Sequence, residues 1–134
     1  MALSQEQIAE QQRALLKRAR KPVRARGLVA GPAERMNRLE AAYAEHLLSR
    51  MIDGDVADFE FAALKFRLAN RSWYTPDFLV TRPDGTLELH EVKGHMQDDA
   101  AVKLRLMPRL WWRFRLFVVR RARRGSWTIE ERTG

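Results

Sequence analysis

The sequence predicts an α/β fold, a mixed sheet with helices packed on it, in the order helix, three antiparallel strands, helix, two strands. Apolar residues from Met36 to Met51 recur at intervals of three and four, which is helical spacing. After the turn at Asp53 and Gly54 the apolar period shortens towards two, which is typical of strands. A length of 134 residues suits one compact domain.

The amino-terminal segment is expected to stand apart from that domain. Residues 3–20 are good helix formers with irregular apolar spacing. The turn-forming residues that follow are Pro22, Gly27, Gly31 and Pro32. We therefore predict a basic helical arm and linker over residues 1–33, and a domain over residues 34–134.

The elements of the domain follow from periodicity and turn signals. The first helix is expected from Pro32 to Met51. The predicted strands are Phe59–Ala69, Trp73–Thr81, Leu87–Lys93, Arg113–Arg121 and Ser126–Glu131. A second helix is expected over Asp98–Met107, because acids at its start interact favourably with the helix dipole. The last two strands should form a hairpin around Arg124 and Gly125.

The charge is unevenly distributed along the chain. The net charge is +8, from 25 basic and 17 acidic residues. Residues 1–27 contain seven basic and two acidic residues, and residues 101–124 contain nine basic and none acidic. The region between them is net acidic. Two basic segments around an acidic middle indicate a polyanionic partner, and a merely solvated surface is the alternative.

Several classes of protein are excluded by composition. Without cysteine the chain has no disulfides, thiolate metal sites or cysteine nucleophiles. Its apolar runs fall far short of the roughly 18 residues that cross a bilayer. The first residues, with acids at Glu6 and Glu10, do not resemble a secretory signal. We therefore expect a cytoplasmic protein that makes no membrane contact.

The hairpin around residues 82–85 carries the most specific signal. If its turn centres on Asp84, the opposed pairs are Thr81 with Leu87, Leu79 with Leu89, and Asp77 with Glu91. Because side chains alternate along a strand, Asp77, Glu91 and Lys93 then share one face. Two carboxylates 4 Å apart repel by about 4 kcal/mol at an effective dielectric constant of 20. This register therefore predicts a compensating cation, whereas a register slipped by one would leave an exposed pair.

A third carboxylate is expected nearby. Glu40 falls inside the apolar stripe of the first predicted helix, where an acid is costly unless it binds a metal or pairs with an arginine. Oxygen ligands favour Mg²⁺ or Mn²⁺ over zinc. His90 and His95 are five residues apart on a strand, unlike the helical pair of zinc proteases. His46 and His95 are interpreted as surface or structural residues.

One family resembles this pattern. Pro76-Asp77, followed after thirteen residues by Glu91-Val92-Lys93, resembles the PD-(D/E)XK nuclease superfamily, which implies a restriction-endonuclease-like core. The stretch Asn37–Val119, about three fifths of the chain, is more closely similar to small phage-encoded endonucleases, some of them Holliday junction resolvase-like. The motifs that carry the similarity are Leu39-Glu40-Ala41-Ala42-Tyr43, Phe66-Arg67-Leu68, Tyr74-Thr75-Pro76-Asp77-Phe78 and Glu91-Val92-Lys93-Gly94.

The resemblance implies a role for each motif residue. Asp77 and Glu91 would coordinate Mg²⁺, with Mn²⁺ as a substitute, together with the Val92 carbonyl. Glu40 would complete or extend the cluster, and Lys93 would orient or help deprotonate the attacking water. The implied activity is a Mg²⁺-dependent endodeoxyribonuclease that acts as a homodimer on branched or recombination intermediates in a bacterial cell. The alternatives are a monomeric flap, end or nicking nuclease, a catalytically inactive DNA-binding protein, and an RNA-binding accessory protein.

The second basic segment is the expected DNA-binding surface. The residues expected to contact phosphates are Lys103, Arg105, Arg109, Arg113 and Arg115. Lys103 could contact the scissile phosphate or be merely solvated. Phe114 and Phe117 are expected in the core. One tryptophan of the Trp111-Trp112 pair should be exposed, where it could stack on a base or form a dimer contact.

Overall fold

The computed structural model describes residues 4–19, 27–31, 35–94 and 98–134. These residues form three α-helices: α1 (Gln5–Ala19), α2 (Arg38–Ile52) and α3 (Asp98–Leu110). They also form eight strands: β1 (Leu28–Ala30), β2 (Asp58–Phe61), β3 (Leu64–Ala69), β4 (Ser72–Tyr74), β5 (Phe78–Thr81), β6 (Leu87–Lys93), β7 (Arg115–Arg121) and β8 (Trp127–Arg132). None of the helices in this part of the chain combines the length and apolar character that a membrane crossing requires.

The main sheet is mixed, as predicted. Its five strands lie in the order β2-β5-β6-β7-β8. β6 and β7 are parallel and are joined through α3, whereas the other neighbours are antiparallel. Leu79 opposes Leu89 and Thr81 opposes Leu87, which confirms the predicted register of the β5-β6 hairpin.

Two predicted strands are wrong in extent, because each one changes sheet midway. Phe59–Ala69 divides into β2 and β3 at Ala62, whose φ is 49°. Trp73–Thr81 divides into β4 and β5 around Pro76, which has no N–H to offer a ladder. The two breaks are adjacent, since the Ala62 N–H donates to the Asp77 carbonyl at 2.7 Å. Beyond the breaks, β3 and β4 join β1 in a second sheet ordered β1-β3-β4.

Some predicted boundaries are also corrected. α2 begins at Arg38, because Asn37 and Glu40 form a reciprocal capping box, and the predicted start at Pro32 lies outside the described residues. α3 continues through Pro108 to Leu110, past its predicted end. β1 lies in the segment predicted to be a linker. The predicted division between arm and domain, at residues 33 and 34, falls outside the described part of the chain.

Both faces of the central strands of the main sheet are covered. α2 packs on one face, where the buried residues are Tyr43, Leu47, Val56, Phe59, Phe78, Val80, Val92 and Val119. α3 and the second sheet cover the other face, where the largest buried residues are Phe66, Leu89, Met107, Leu116 and Val118. The edge strand β8 is largely exposed, so the covered part of the sheet is its centre.

Candidate active site

The predicted acidic residues meet at the end of the main sheet where β6 ends and β5 begins. Phe78 opposes His90, so Asp77 lies beside Glu91 at the next position of the register. The Asp77 Oδ2 accepts a hydrogen bond from the Val92 N–H at 2.8 Å. The first turn of α2 lies at the same end and brings Glu40 to Asp77. Glu40, Asp77, Glu91, Val92 and Lys93 are thus brought together.

The carboxyl group of Asp77 is in a costly position for a negative charge. Burial raises the pKa of Asp77 to about 8, and the negative charge of Glu91 contributes to this increase. The hydrogen bond from Val92 opposes the increase, while Glu40 adds to it through its charge and a hydrogen bond. At neutral pH, Asp77 therefore requires either a proton or a nearby cation.

Glu91 is held by two donors. Its Oε2 accepts a hydrogen bond from the Tyr74 hydroxyl at 2.6 Å, and its Oε1 lies 3.2 Å from the Lys93 Nζ. The side chains of Glu91 and Lys93 are only 12% and 13% exposed. This ion pair is more sheltered than a surface pair and fixes the carboxylate beside Asp77.

Tyr74 is a residue of the site to which the sequence alone assigns no separate role. It is buried, and it reaches Glu91 because the chain leaves the second sheet between Tyr74 and Asp77. A regular strand continuing through Pro76 would not produce this geometry, so alternation alone could not identify the contact. Lys103 is held nearby, since its Nζ donates to the carbonyl of Trp73 at 2.8 Å.

The oxygen atoms at the site suit a hard cation whose remaining ligands are supplied by water and substrate. Among the described residues, no group of three His, Asp or Glu side chains is arranged to hold a metal ion. The Glu40 carboxylate accepts a hydrogen bond from the Asn37 N–H at 2.8 Å, and no arginine among the described residues forms an ion pair with it. Asp77 and Glu91 remain as carboxylate donors, and the Val92 carbonyl is the further oxygen ligand that the resemblance implies. Mg²⁺ is commonly held by one or two carboxylates, with water and substrate phosphates as its other ligands.

The basic residues divide into two groups. Arg105, Arg109 and Arg113 are exposed. Arg115 is bound by Glu131 through two hydrogen bonds of 2.9 Å. It also lies opposite Glu88, three residues along β6 from Glu91, or about 10 Å at 3.3 Å per residue. The structure therefore does not bring Arg115 to the carboxylates.

The tryptophan pair is divided as predicted. Trp112 is 70% exposed. Trp111 packs against Phe66 with ring centroids 5.1 Å apart, and its Nε1 donates to the Arg67 carbonyl at 3.0 Å. Phe114 packs against the core on the α3 side of the sheet, as expected. Phe117 is half-buried and lies against His90.

A second polar cluster lies on the opposite face of β6. His90 is fully buried; its Nδ1 is 2.5 Å from the Tyr43 hydroxyl, and its Nε2 is 2.9 Å from the Glu88 Oε1. Burial lowers the pKa of His90, although Glu88 opposes this effect. A neutral ring that accepts from Tyr43 and donates to Glu88 satisfies all three groups. His46 stacks on Tyr43, and His95 lies outside the described residues.

Comparison of the chain with models of protein families, with curated proteins and with solved structures finds no match. The functional interpretation therefore depends on the residues themselves: the opposed carboxylates, their donors, and the basic surface along α3.

Proposed function

We propose that the protein is a metal-dependent DNA endonuclease that hydrolyses phosphodiester bonds, with branched or recombination intermediates as substrates. The observation that carries the proposal is the pairing of Asp77 and Glu91 at one sheltered end of the sheet, with the ammonium group of Lys93 3.2 Å from Glu91. Two buried carboxylates side by side are destabilising when both are ionised, unless a proton or a cation relieves the repulsion. An arrangement that retains them is expected where a cation is needed for chemistry.

Each residue at the site has a distinct proposed task. Asp77 and Glu91, with the Val92 carbonyl, would hold Mg²⁺ or Mn²⁺. When bound, the ion would lower the pKa of a coordinated water and stabilise charge on the phosphate. Lys93 would place a positive charge beside that water and the phosphate. Glu40, which is tied to the helix cap, would act through its hydrogen bond with Asp77 and not as a third carboxylate ligand.

The topology of the main sheet supports the finer proposal of a restriction-endonuclease-like core. Along the chain, α2 precedes the antiparallel strands β2, β5 and β6, and α3 leads to the parallel strand β7. This is the element order that the resemblance implies. In this proposal, β3 and β4 form an excursion between the first two core strands, and β8 extends the sheet at its edge.

A cleavage assay on several DNA structures tests the proposal. Labelled four-way junction, flap, duplex and single-stranded DNA would be incubated with the full chain in Mg²⁺ or in EDTA. We expect cleavage in Mg²⁺ only, with a decrease of about 100-fold or more in Asp77→Asn and Lys93→Ala. Matched controls are Asp84→Asn, an exposed turn carboxylate, and Lys65→Ala, a lysine on β3. Cleavage in EDTA, or full activity of Asp77→Asn, would contradict the mechanism.

The same assay separates the substrate classes. Paired symmetric nicks in a junction favour a resolvase-like homodimer, because a four-way junction has twofold symmetry. Cleavage of flaps or ends by a monomer favours the simpler nuclease, and sedimentation measures the oligomeric state. Tight binding of DNA without cleavage under any condition would indicate an inactive DNA-binding protein.

A further inference from the structure

The outer face of α3 presents a row of exposed residues. Val102, Arg105 and Arg109 follow one another at intervals of three and four, so they lie along one face of the helix. Val102 is 50% exposed, and both arginines are exposed. The row continues beyond the helix end to Trp112 and Arg113. We call these five residues the α3 track.

Trp112 is unusual for so large an apolar side chain, because 70% of it is exposed. The guanidinium of Arg113 lies over its ring, 5.0 Å from the centroid. This contact orients the indole and leaves most of its surface open to solvent. Beside it, Leu28, Thr86, Leu87 and Phe114 contribute to a cavity of about 640 Å³.

The track is positively charged, because it contains three arginines and no acidic residue. Among the described residues, no carboxylate forms an ion pair with Arg105, Arg109 or Arg113, whereas Arg115 is paired with Glu131. The track therefore complements a polyanion. Its aromatic end would add stacking to that charge.

The track leads away from the acidic site. Near the start of α3, Lys103 bonds to Trp73, whose neighbour Tyr74 binds Glu91. At its other end, Trp112 lies beside Leu87, the first residue of β6. Leu87 is four residues from Glu91, or about 13 Å along the strand. A nucleic acid on the track would thus extend from the acidic site to Trp112.

We propose that the α3 track binds an unpaired, single-stranded DNA segment that adjoins the cleavage site, and that Trp112 stacks on one of its bases. The inference deepens the proposed function by naming a feature of its substrate, and it rests on that function for the identity of the ligand. A single strand fits better than a duplex, because only an unpaired base can offer its face to an indole, and arginines spaced along a helix can follow a flexible backbone.

Binding measured without metal tests this inference separately from cleavage. The anisotropy of a labelled 15-nucleotide single strand and of a blunt duplex would be followed in EDTA. Trp112→Ala should weaken single-strand binding about five- to hundredfold while changing duplex binding by less than about twofold. Trp112→Phe should retain most of the affinity. Arg105→Gln with Arg109→Gln should reduce the slope of log affinity against log salt by about 1.4 for a single strand.

The control is Ile129→Ala, which removes another exposed apolar side chain, on β8, and should leave both affinities unchanged. Unchanged single-strand binding by Trp112→Ala would overturn the inference, even if cleavage is intact. Tighter binding of RNA than of DNA of the same length would also overturn it. The same holds if the protein is a dimer that Trp112→Ala dissociates, because Trp112 would then be a dimer contact. Conversely, specific single-strand binding by a chain that never cleaves would support the track and contradict only the proposed nuclease activity.

Discussion

Opposing effects act on the pKa of Asp77. The Val92 N–H stabilises its ionised form, whereas burial and the charge of Glu91 destabilise it, and the net result is a pKa raised to about 8. A divalent cation would reverse that balance, because it favours the ionised form of both carboxylates. Proton and metal are therefore expected to compete for the same residue.

Without metal, the contribution of Asp77 to the stability of the protein should decrease as the pH rises from about 4 to about 8. In this range the folded chain retains a proton on Asp77 that the unfolded chain, with a pKa of about 3.9, has lost, so the free energy of unfolding falls with pH. Above about 8 the contribution is constant. Asp77→Asn should remove this dependence, and Asp84→Asn should not. Urea unfolding in EDTA from pH 4 to 9 measures it, and equal pH dependence in wild type and Asp77→Asn would contradict the assignment.

Tyr74→Phe should destabilise the chain by about 1.5 to 3 kcal/mol, because it removes a hydroxyl that donates to a sheltered carboxylate. The phenyl ring keeps the packing, so the fold should be retained. A double-mutant cycle with Glu91→Ala, which removes the acceptor altogether, followed by urea unfolding, isolates the contact. Strictly additive effects of the two substitutions would show that the hydrogen bond contributes nothing.

At the scale of single residues, the sequence predicts that Asp77 opposes Glu91, but it does not predict which groups donate hydrogen bonds to them. The turn at Asp84 sets the β5-β6 register, so the position of Asp77 beside Glu91 could be worked out from alternation alone. The donor from Tyr74 could not, because it depends on a change of direction between two sheets. Glu40 was expected on the apolar stripe. Its spacing of three from Asn37 also matches a capping box, which accounts for its backbone hydrogen bond.

At the scale of elements, the crossing between the two sheets positions the site. β2 passes into β3 at Ala62, and β4 passes into β5 at Pro76, next to Asp77. Continuous apolar alternation on both sides of each break predicts one long strand, since the pattern records which side chains are buried but not by which sheet. Strand β6 has no such break, and its predicted bounds, Leu87–Lys93, are correct.

Gly31 is expected to be essential for this crossing. A Cβ at this position would lie 1.8 Å from the carbonyl oxygen of Ala62, which is backbone and cannot rotate away. Gly31→Ala should therefore force β1 away from the crossing and destabilise the protein by about 1 to 3 kcal/mol, as overpacking does. Thermal unfolding measures the effect. Gly94→Ala is the control, because its Cβ would meet only the Leu39 side chain at 3.5 Å. Equal stability of the two variants would contradict the role of Gly31.

At the scale of the whole molecule, the excess of basic residues separates into neutralised and available groups. Arg115 is paired with Glu131 on the neighbouring strand, whereas Arg109 faces solvent on α3. The sequence predicts both as phosphate contacts, because a basic run does not show which of its members meet an acid across a sheet. Pairing with β8 is a long-range contact that local pattern does not reveal.

This difference should be measurable in the salt dependence of DNA binding. Arg109→Gln should reduce the slope of log affinity against log salt by about 0.7 on single-stranded DNA, the value for one lost phosphate contact. Arg115→Gln should change it by much less, since its charge is already balanced. Titrations in EDTA at several salt concentrations give both slopes. A larger change for Arg115→Gln would mean that the β7-β8 edge, and not α3, contacts the DNA.

Titration calorimetry with Mn²⁺ at pH 8 tests most directly whether Asp77 and Glu91 hold a divalent cation. We expect saturable binding by the wild-type chain with release of protons, weaker binding at lower pH as Asp77 takes up a proton, and loss of binding in Asp77→Asn and Glu91→Gln. Asp84→Asn should bind as the wild type does. Absence of binding by the wild type, or undiminished binding by Asp77→Asn, would contradict the assignment of these carboxylates as a metal site.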